Sequence, residues 1–314
     1  MTGHASRAEM INPTRVRYIK LGEGGDWEAE CREKNIIRIG FGSAQSPRFE
    51  LCHAGRWGEV YNSLIEERKS KGTATRSMNE LRLFFEDDGS TLWITFIGER
   101  LYWGFVDVTK AAGPHDDGEG VWRLIRDGWR STDLQEEPLT KDRLSGALTK
   151  IAAYQGTSCG VDVSDYVIRR INGKKTPEIE RALAASKEMK QSALGLMRLL
   201  GWHDFEILVD LVFTTSGWRR IGTVGKTQKT IDFDMTLPST GQRAFVQVKA
   251  RTTAAELDEY VAAFHDSLYD RMFYVYHSGT AETSDPSVTV IGPEQLADLV
   301  MEAGLVSWLI QKVS

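Results

Sequence analysis

Between residues 12 and 110, apolar and polar positions alternate in short runs. The runs VRYIKLG, NIIRIGF, LRLFFE, TLWITFIG and RLYWGFVDV are rich in β-branched and aromatic residues, and Gly, Asp or Ser separates them, which is the pattern of short strands. One helix is predicted in this half, at about 56–71, where Val60, Leu64 and Ile65 recur at helical spacing and Gly72 ends it. GPHDDGEG at 113–120 reads as a polar loop, 121–131 adds an aromatic stretch, and 138–154 reads as helix. The segment INGKKTPE at 171–178 reads as a linker. Beyond it, helices alternate with strands. Helices are predicted at 178–200 and at 204–216, the second with Asp204 as its N-cap. Strands follow at 218–224, 229–237 and 243–250, then a helix at 254–267, strands at 271–277 and 287–291, and helices from 293 onward.

The chain has 314 residues, which favours two domains. No apolar run approaches the roughly 18 residues of a membrane span. The first residues lack the apolar core of a secretory signal. The three cysteines (Cys31, Cys52 and Cys159) are scattered and suit a reducing cytoplasm better than a disulfide framework. The net charge of −5 argues against a uniformly basic nucleic-acid binder, but the charge is unevenly spread. Residues 217–251 carry seven basic side chains against two acidic ones, whereas 252–314 carry two against ten.

That basic segment also holds the candidate chemistry. It contains Asp232, a turn at Pro238–Gly241, and then Gln247-Val248-Lys249 at the end of an apolar strand. A carboxylate, an amide oxygen and a lysine on one β-hairpin can hold a hard divalent cation and activate water. Asp232 and Gln247 are the expected metal ligands. Lys249 would polarise the water or stabilise charge on a phosphate. Glu206, in the first turn of the 204–216 helix, is a further expected ligand. Arg219, Arg220, Lys226, Lys229 and Arg251 are the expected DNA-phosphate contacts. His203, His265 and His277 lack metal-like spacing. The hairpin register decides the outcome. Asp232 opposite Gln247 or Lys249 shares their face, whereas Asp232 opposite Val248 does not, because a one-residue slip reverses every side chain.

The order of FEILVDLVFTTSGWRRI, KTIDFD and AFVQVKA, with an acid on the second strand and Q-x-K on the third, resembles the PD-(D/E)xK nuclease superfamily. It is most similar to Mrr-like restriction endonucleases, in which glutamine often replaces the middle acid. The resemblance covers 178–314. It implies an αβββαβ restriction-endonuclease-like domain that hydrolyses DNA with Mg²⁺, or with Mn²⁺ in its place.

The other half is aromatic. Six of the nine tryptophans precede residue 130. YIKLGEGGDWEAECREKNIIRIGFG and TLWITFIGERLYWGFV resemble the PUA-like readers of modified bases, the group that includes EVE and YTH domains. That resemblance spans 12–172 and implies a β-barrel-like core with helices. Trp27, Trp93, Tyr102 and Trp103 are its expected base-pocket residues, although Tyr102 and Trp103 must face opposite sides of a strand. Gly22, Gly24 and Gly25 form a glycine-rich turn without a nucleotide-loop signature.

Together the expectation is an α+β or α/β chain with two domains: a modification-dependent DNA endonuclease of the type IV restriction kind, acting on double-stranded, modified DNA as a homodimer or transient dimer. Two other readings fit the sequence. One is a reader of modified nucleic acid whose nuclease-like half does no chemistry. The other is a nuclease triggered by a small signalling nucleotide or a partner protein.

Overall fold

A computed structural model of the chain describes residues 9–45, 47–221 and 232–314. The chain divides into two compact units, Met1–Lys175 and Thr176–Ser314. Both are mixed α and β.

Among its described residues unit 1 contains seven strands: β1 (Arg15–Ile19), β2 (Ile36–Ile39), β3 (Thr91–Ile97), β4 (Arg100–Gly104), β5 (Gly113–Pro114), β6 (Val121–Leu124) and β7 (Ser158–Gly160). Its helices are α1 (Glu28–Glu33), α2 (Arg48–His53), α3 (Trp57–Arg68), α4 (Lys71–Phe85), α5 (Gly146–Thr149) and α6 (Ser164–Ile171). The strands form a four-stranded sheet, ordered β4-β3-β1-β7, and a three-stranded sheet, ordered β2-β6-β5. They do not close into a barrel among the described residues.

The four-stranded sheet separates two cores. Alternation along β3 sends Leu92, Ile94 and Phe96 to one side, where they join Trp103, Val167 and Ile171. Trp93 goes to the other side, with Leu64 and Leu81 from α3 and α4 and Ile37 from β2.

Three predicted elements came out differently. LRLFFE is not a strand but the last turns of α4. Ala74, Ser77, Leu81 and Phe84 are its buried positions, three to four residues apart, which is a helical period. The helix predicted at 56–71 stops at Arg68 because Lys69 takes a left-handed conformation, with φ 53°, and Ser70 caps the next helix by accepting from Thr73 N. The 138–154 segment is not one helix; only Gly146–Thr149 is α-helical there.

Unit 2 contains α7 (Pro177–Met197), α8 (Trp202–Thr215), β8 (Arg219–Arg220), β9 (Phe233–Leu237), β10 (Gln242–Lys249), α9 (Ala254–His265), β11 (Arg271–Tyr276), β12 (Val288–Ile291), α10 (Pro293–Glu302) and α11 (Val306–Val313). One five-stranded sheet runs in the order β12-β11-β10-β9-β8. Strands β8, β9 and β10 are antiparallel neighbours, and α9 carries the chain across to β11, which pairs with β10 in parallel. The valines of β10, Val246 and Val248, pack against Leu208, Val212 and Leu296 on the face covered by α7, α8 and α10. Phe245 packs on the opposite face with Leu257 and Phe264 of α9. Gly201, not Asp204, is the N-cap of α8; Asp204 sits in its first turn and pairs with Lys312 at 3.1 Å.

Trp93 is 1% exposed, and its indole N–H donates to Asp87 at 2.6 Å. Trp93→Phe removes that donor and part of the ring. It is expected to lower the unfolding free energy by about 1–3 kcal/mol, measured by denaturant unfolding. An unchanged midpoint would contradict a core role for the indole.

Candidate active site

The β9–β10 ladder pairs Gln242 with Leu237 and Val246 with Phe233. The next position in this register sets Asp232 opposite Gln247. The ladder has ended there, and a side chain takes over from the backbone. Asp232 Oδ2 accepts from the Val248 backbone N–H at 2.7 Å and from the Gln247 amide at 2.6 Å. Asp232 and Gln247 therefore meet.

Gln247 is 4% exposed, yet its Oε1 has no hydrogen-bond partner among the described residues. A buried amide oxygen left bare costs free energy unless something binds it. Burial raises the Asp232 carboxyl above its ordinary range, and the bond from Val248 and the charges of Lys249 and Arg220 offset this only in part.

Glu206 lies on α8 near this point. Burial raises its pKa first and the Asp232 charge raises it further, so two carboxylates repel each other here. Asp210 follows Glu206 by one helical turn and was not singled out in the sequence. Its Oδ1 is buried without a partner among the described residues, while Oδ2 lies 3.7 Å from Arg220. The signal was present: two acids four residues apart on a helix whose other face is Phe205, Leu208, Val209 and Val212.

Lys249 ends β10. Its ammonium lies 3.1 Å from Glu256 and 4.8 Å from the Tyr260 ring centroid, both on α9. Burial pulls its pKa down, but the hydrogen bonds it donates to Tyr260 and Glu256 outweigh that and raise it. Lys249 is therefore a fixed cation at any ordinary pH. It is suited to stabilising negative charge and orienting water rather than to accepting a proton.

The expected phosphate contacts divide into three groups. Arg219 and Arg251 are exposed. Arg220 is exposed as well, but its guanidinium is engaged: it stacks over Phe233 at 4.6 Å and donates to the Asp232 carbonyl at 3.4 Å. Lys226 and Lys229 lie outside the described residues. Asp234 pairs with Arg243 at 3.0 Å, away from the Gln247 amide. His277 is buried, edge-on to Phe205 at 4.6 Å, and burial lowers its pKa. His265 pairs with Asp285, and His203 is exposed.

Among the described residues, no three His, Cys, Asp or Glu side chains group as a ready metal cage. The hard oxygens of this corner are the Asp232 carboxylate and, nearby, the Glu206 carboxylate; the Gln247 amide turns its nitrogen to Asp232 and leaves its oxygen bare. All are hard donors, and a cation would relieve both the repulsion and the orphaned amide. That set fits Mg²⁺, which keeps several waters and needs few protein ligands.

In unit 1 the four expected pocket aromatics do not come together. Trp93 and Trp103 lie in different cores on opposite faces of one sheet, 1% and 3% exposed. Trp103 donates to the Thr132 carbonyl at 2.8 Å. Tyr102 pairs opposite Thr95 and is partly exposed. Strand alternation and burial thus commit both tryptophans to packing. Trp27 borders a cavity. No family model, curated protein or solved structure matches the chain.

The Glu206 carboxyl is raised on folding, so its ionisation opposes the fold. The stability it contributes is complete below its ordinary pKa of 4.5 and is lost as pH rises through the elevated value. Glu206→Gln is therefore expected to raise the thermal midpoint near neutral pH and to leave it unchanged near pH 4. Differential scanning fluorimetry across that range checks this, and an equal shift at both ends would contradict it.

Proposed function

We propose that unit 2 is a metal-dependent endodeoxyribonuclease with a restriction-endonuclease-like arrangement, and that unit 1 is a PUA-like reader of modified bases. The chain then cuts modified foreign DNA. The observation that carries this reading is the β9–β10 register, which gathers Asp232, Gln247 and Lys249 at one end of β10 beside Glu206. The helix, three antiparallel strands, helix and parallel strand of unit 2 follow the order that the resemblance implies.

In this mechanism Asp232, Gln247 and Glu206 would hold Mg²⁺, whose chemistry there would be to activate water and offset phosphate charge. Lys249, fixed by Glu256 and Tyr260, faces the phosphate as a cation and steadies the attacking water. Arg219 and Arg251, exposed and basic, contact the DNA backbone. One such site cuts one strand, so double-strand breaks require two copies.

A second reading keeps the nucleic-acid reader and removes the chemistry. Glutamine at position 247, its amide nitrogen bonded to Asp232, is the feature that favours it. Titration with Mg²⁺ and Mn²⁺ separates the two, since the non-catalytic reading requires that neither ion binds at Asp232.

Plasmid cleavage with Mg²⁺ on methylated, hydroxymethylated and unmodified DNA tests the first reading. Lys249→Ala is expected to slow cutting by about 10²–10³-fold, the typical effect of losing one preorganised charge-stabilising group. Equal cutting by that variant, with its fold intact, sinks the site assignment.

A further inference from the structure

We propose that the first half of α7 is a self-association surface, on which a second copy of this chain lays the same helix in the antiparallel sense. The inference rests on unit 2 alone and does not depend on the hydrolytic reading.

Helix α7 outruns its own core. Thr176 caps it by accepting from the Ile179 N–H, and Pro177 sits in its first turn, so the sequence fixes where it begins. Near its other end, Ala193, Leu194 and Met197 pack with Leu296, Val300 and Leu309 of α10 and α11. Lys190, bound to Asp298 of α10 at 2.8 Å, marks the edge of that cover. Before it, every residue from Pro177 to Met189 is exposed. At about 1.5 Å per residue this is roughly 20 Å of bare helix.

The bare half is not polar all round. Ile179, Leu183 and Met189 are 47%, 51% and 45% exposed. By helical period, Ile179, Ala182, Leu183 and Ser186 lie on the side that carries Ala193, Leu194 and Met197, with Met189 at its margin. The stripe that is core at one end of the helix therefore continues uncovered to the other. Arg181 and Glu188 occupy the opposite side. Helices in proteins draw most of their stability from packing such a stripe. The small side chains of Ala182 and Ser186 let a second backbone come close.

The charges select the occupant. Glu178 and Glu180 lie toward the start of the bare stretch and Lys187 toward its end. Arg181 pairs with Glu178 at 3.4 Å, which leaves Glu180 and Lys187 without an ion-pair partner among the described residues. These two stand about two helical turns apart, on the same flank of the stripe. An antiparallel pair with its two-fold axis between Leu183 and Ala184, close to the middle of the bare stretch, sets each Glu180 against Lys187 of the other copy. The two Leu183 side chains then meet at the axis. A parallel pair would set Glu180 against Glu180 and Lys187 against Lys187. A standard interface buries about 800 Å² per partner, more than one helix face of this length presents, so the dimer is weak and forms as concentration rises.

Sedimentation velocity of the full chain through the micromolar range is expected to show a monomer–dimer equilibrium. Leu183→Glu places two carboxylates at the axis and is expected to weaken association by at least about tenfold. It should leave the thermal midpoint of dilute protein unchanged, because Leu183 is exposed in the monomer. Glu180→Lys and Lys187→Glu each set like charges opposite and weaken the dimer, and the double exchange restores it. In a Cys159→Ser background, Leu183→Cys is expected to give a disulfide-linked dimer on mild oxidation, and Glu188→Cys, on the far side, is not. A chain that stays monomeric throughout and does not cross-link through Leu183→Cys overturns the inference. So does a dimer that persists in Leu183→Glu or that the double exchange fails to restore. A lowered midpoint in dilute Leu183→Glu means that the chain covers this face itself, which overturns it as well. A dimer with the expected behaviour, in a chain that cuts no DNA, leaves this surface standing and ends the hydrolytic reading.

Discussion

One carboxylate oxygen ends the antiparallel ladder of unit 2. Strand β10 continues past the first residue of β9, so the Val248 N–H needs an acceptor, and Asp232 Oδ2 supplies it while also receiving the Gln247 amide. A buried backbone donor must be satisfied, and few side chains reach back to do it. The bond therefore fixes where Asp232 points, which surface of the sheet it shares with Gln247, and which amide atom of Gln247 remains uncommitted. The functional reading of unit 2 grows from that local hydrogen-bond requirement.

The same corner gathers more negative charge than its surroundings favour. Burial raises both the Asp232 and the Glu206 carboxyl, and the Asp232 charge raises Glu206 further, while Arg220 lowers both in part. A site that is costly when empty of positive charge gains most from a cation that enters it. Under the proposed metal-binding reading, fold stability and metal affinity would be opposed within one small volume.

Much of unit 2 was legible in the sequence because its signals are local and mutually consistent. The turn at Pro238–Gly241 and the alternation of AFVQVKA fix a hairpin, and the register that aligns Asp232 with Gln247 is one of those the pattern allowed. Helix α8 was legible from its apolar spacing, but its start was not: Asp204 looks like a cap, and the chain instead begins the helix two residues earlier and uses the acid to bind Lys312, 108 residues away. No local pattern carries that contact. Unit 1 was harder. LRLFFE has the composition of a strand, and its helical state follows from burial against α3 and the capping at Ser70. The tryptophans show the limit most clearly. Trp27, Trp93 and Trp103 are chemically equivalent in the sequence, and only the assembled sheets decide which of them packs into a core and which borders a cavity.

Lys249, Glu256 and Tyr260 lie within twelve residues, on the end of β10 and the start of α9. The positive half of the candidate site is thus a single contiguous cassette, complete as soon as one strand-to-helix crossover forms. The negative half is assembled from two separate elements, α8 and the entry to β9. The cassette can be moved, duplicated or lost through one short stretch of chain, whereas the acids tolerate no such transfer. Under the proposed hydrolytic reading, loss of the dispersed acids would leave a basic, aromatic-backed sheet end without the groups that would hold the metal.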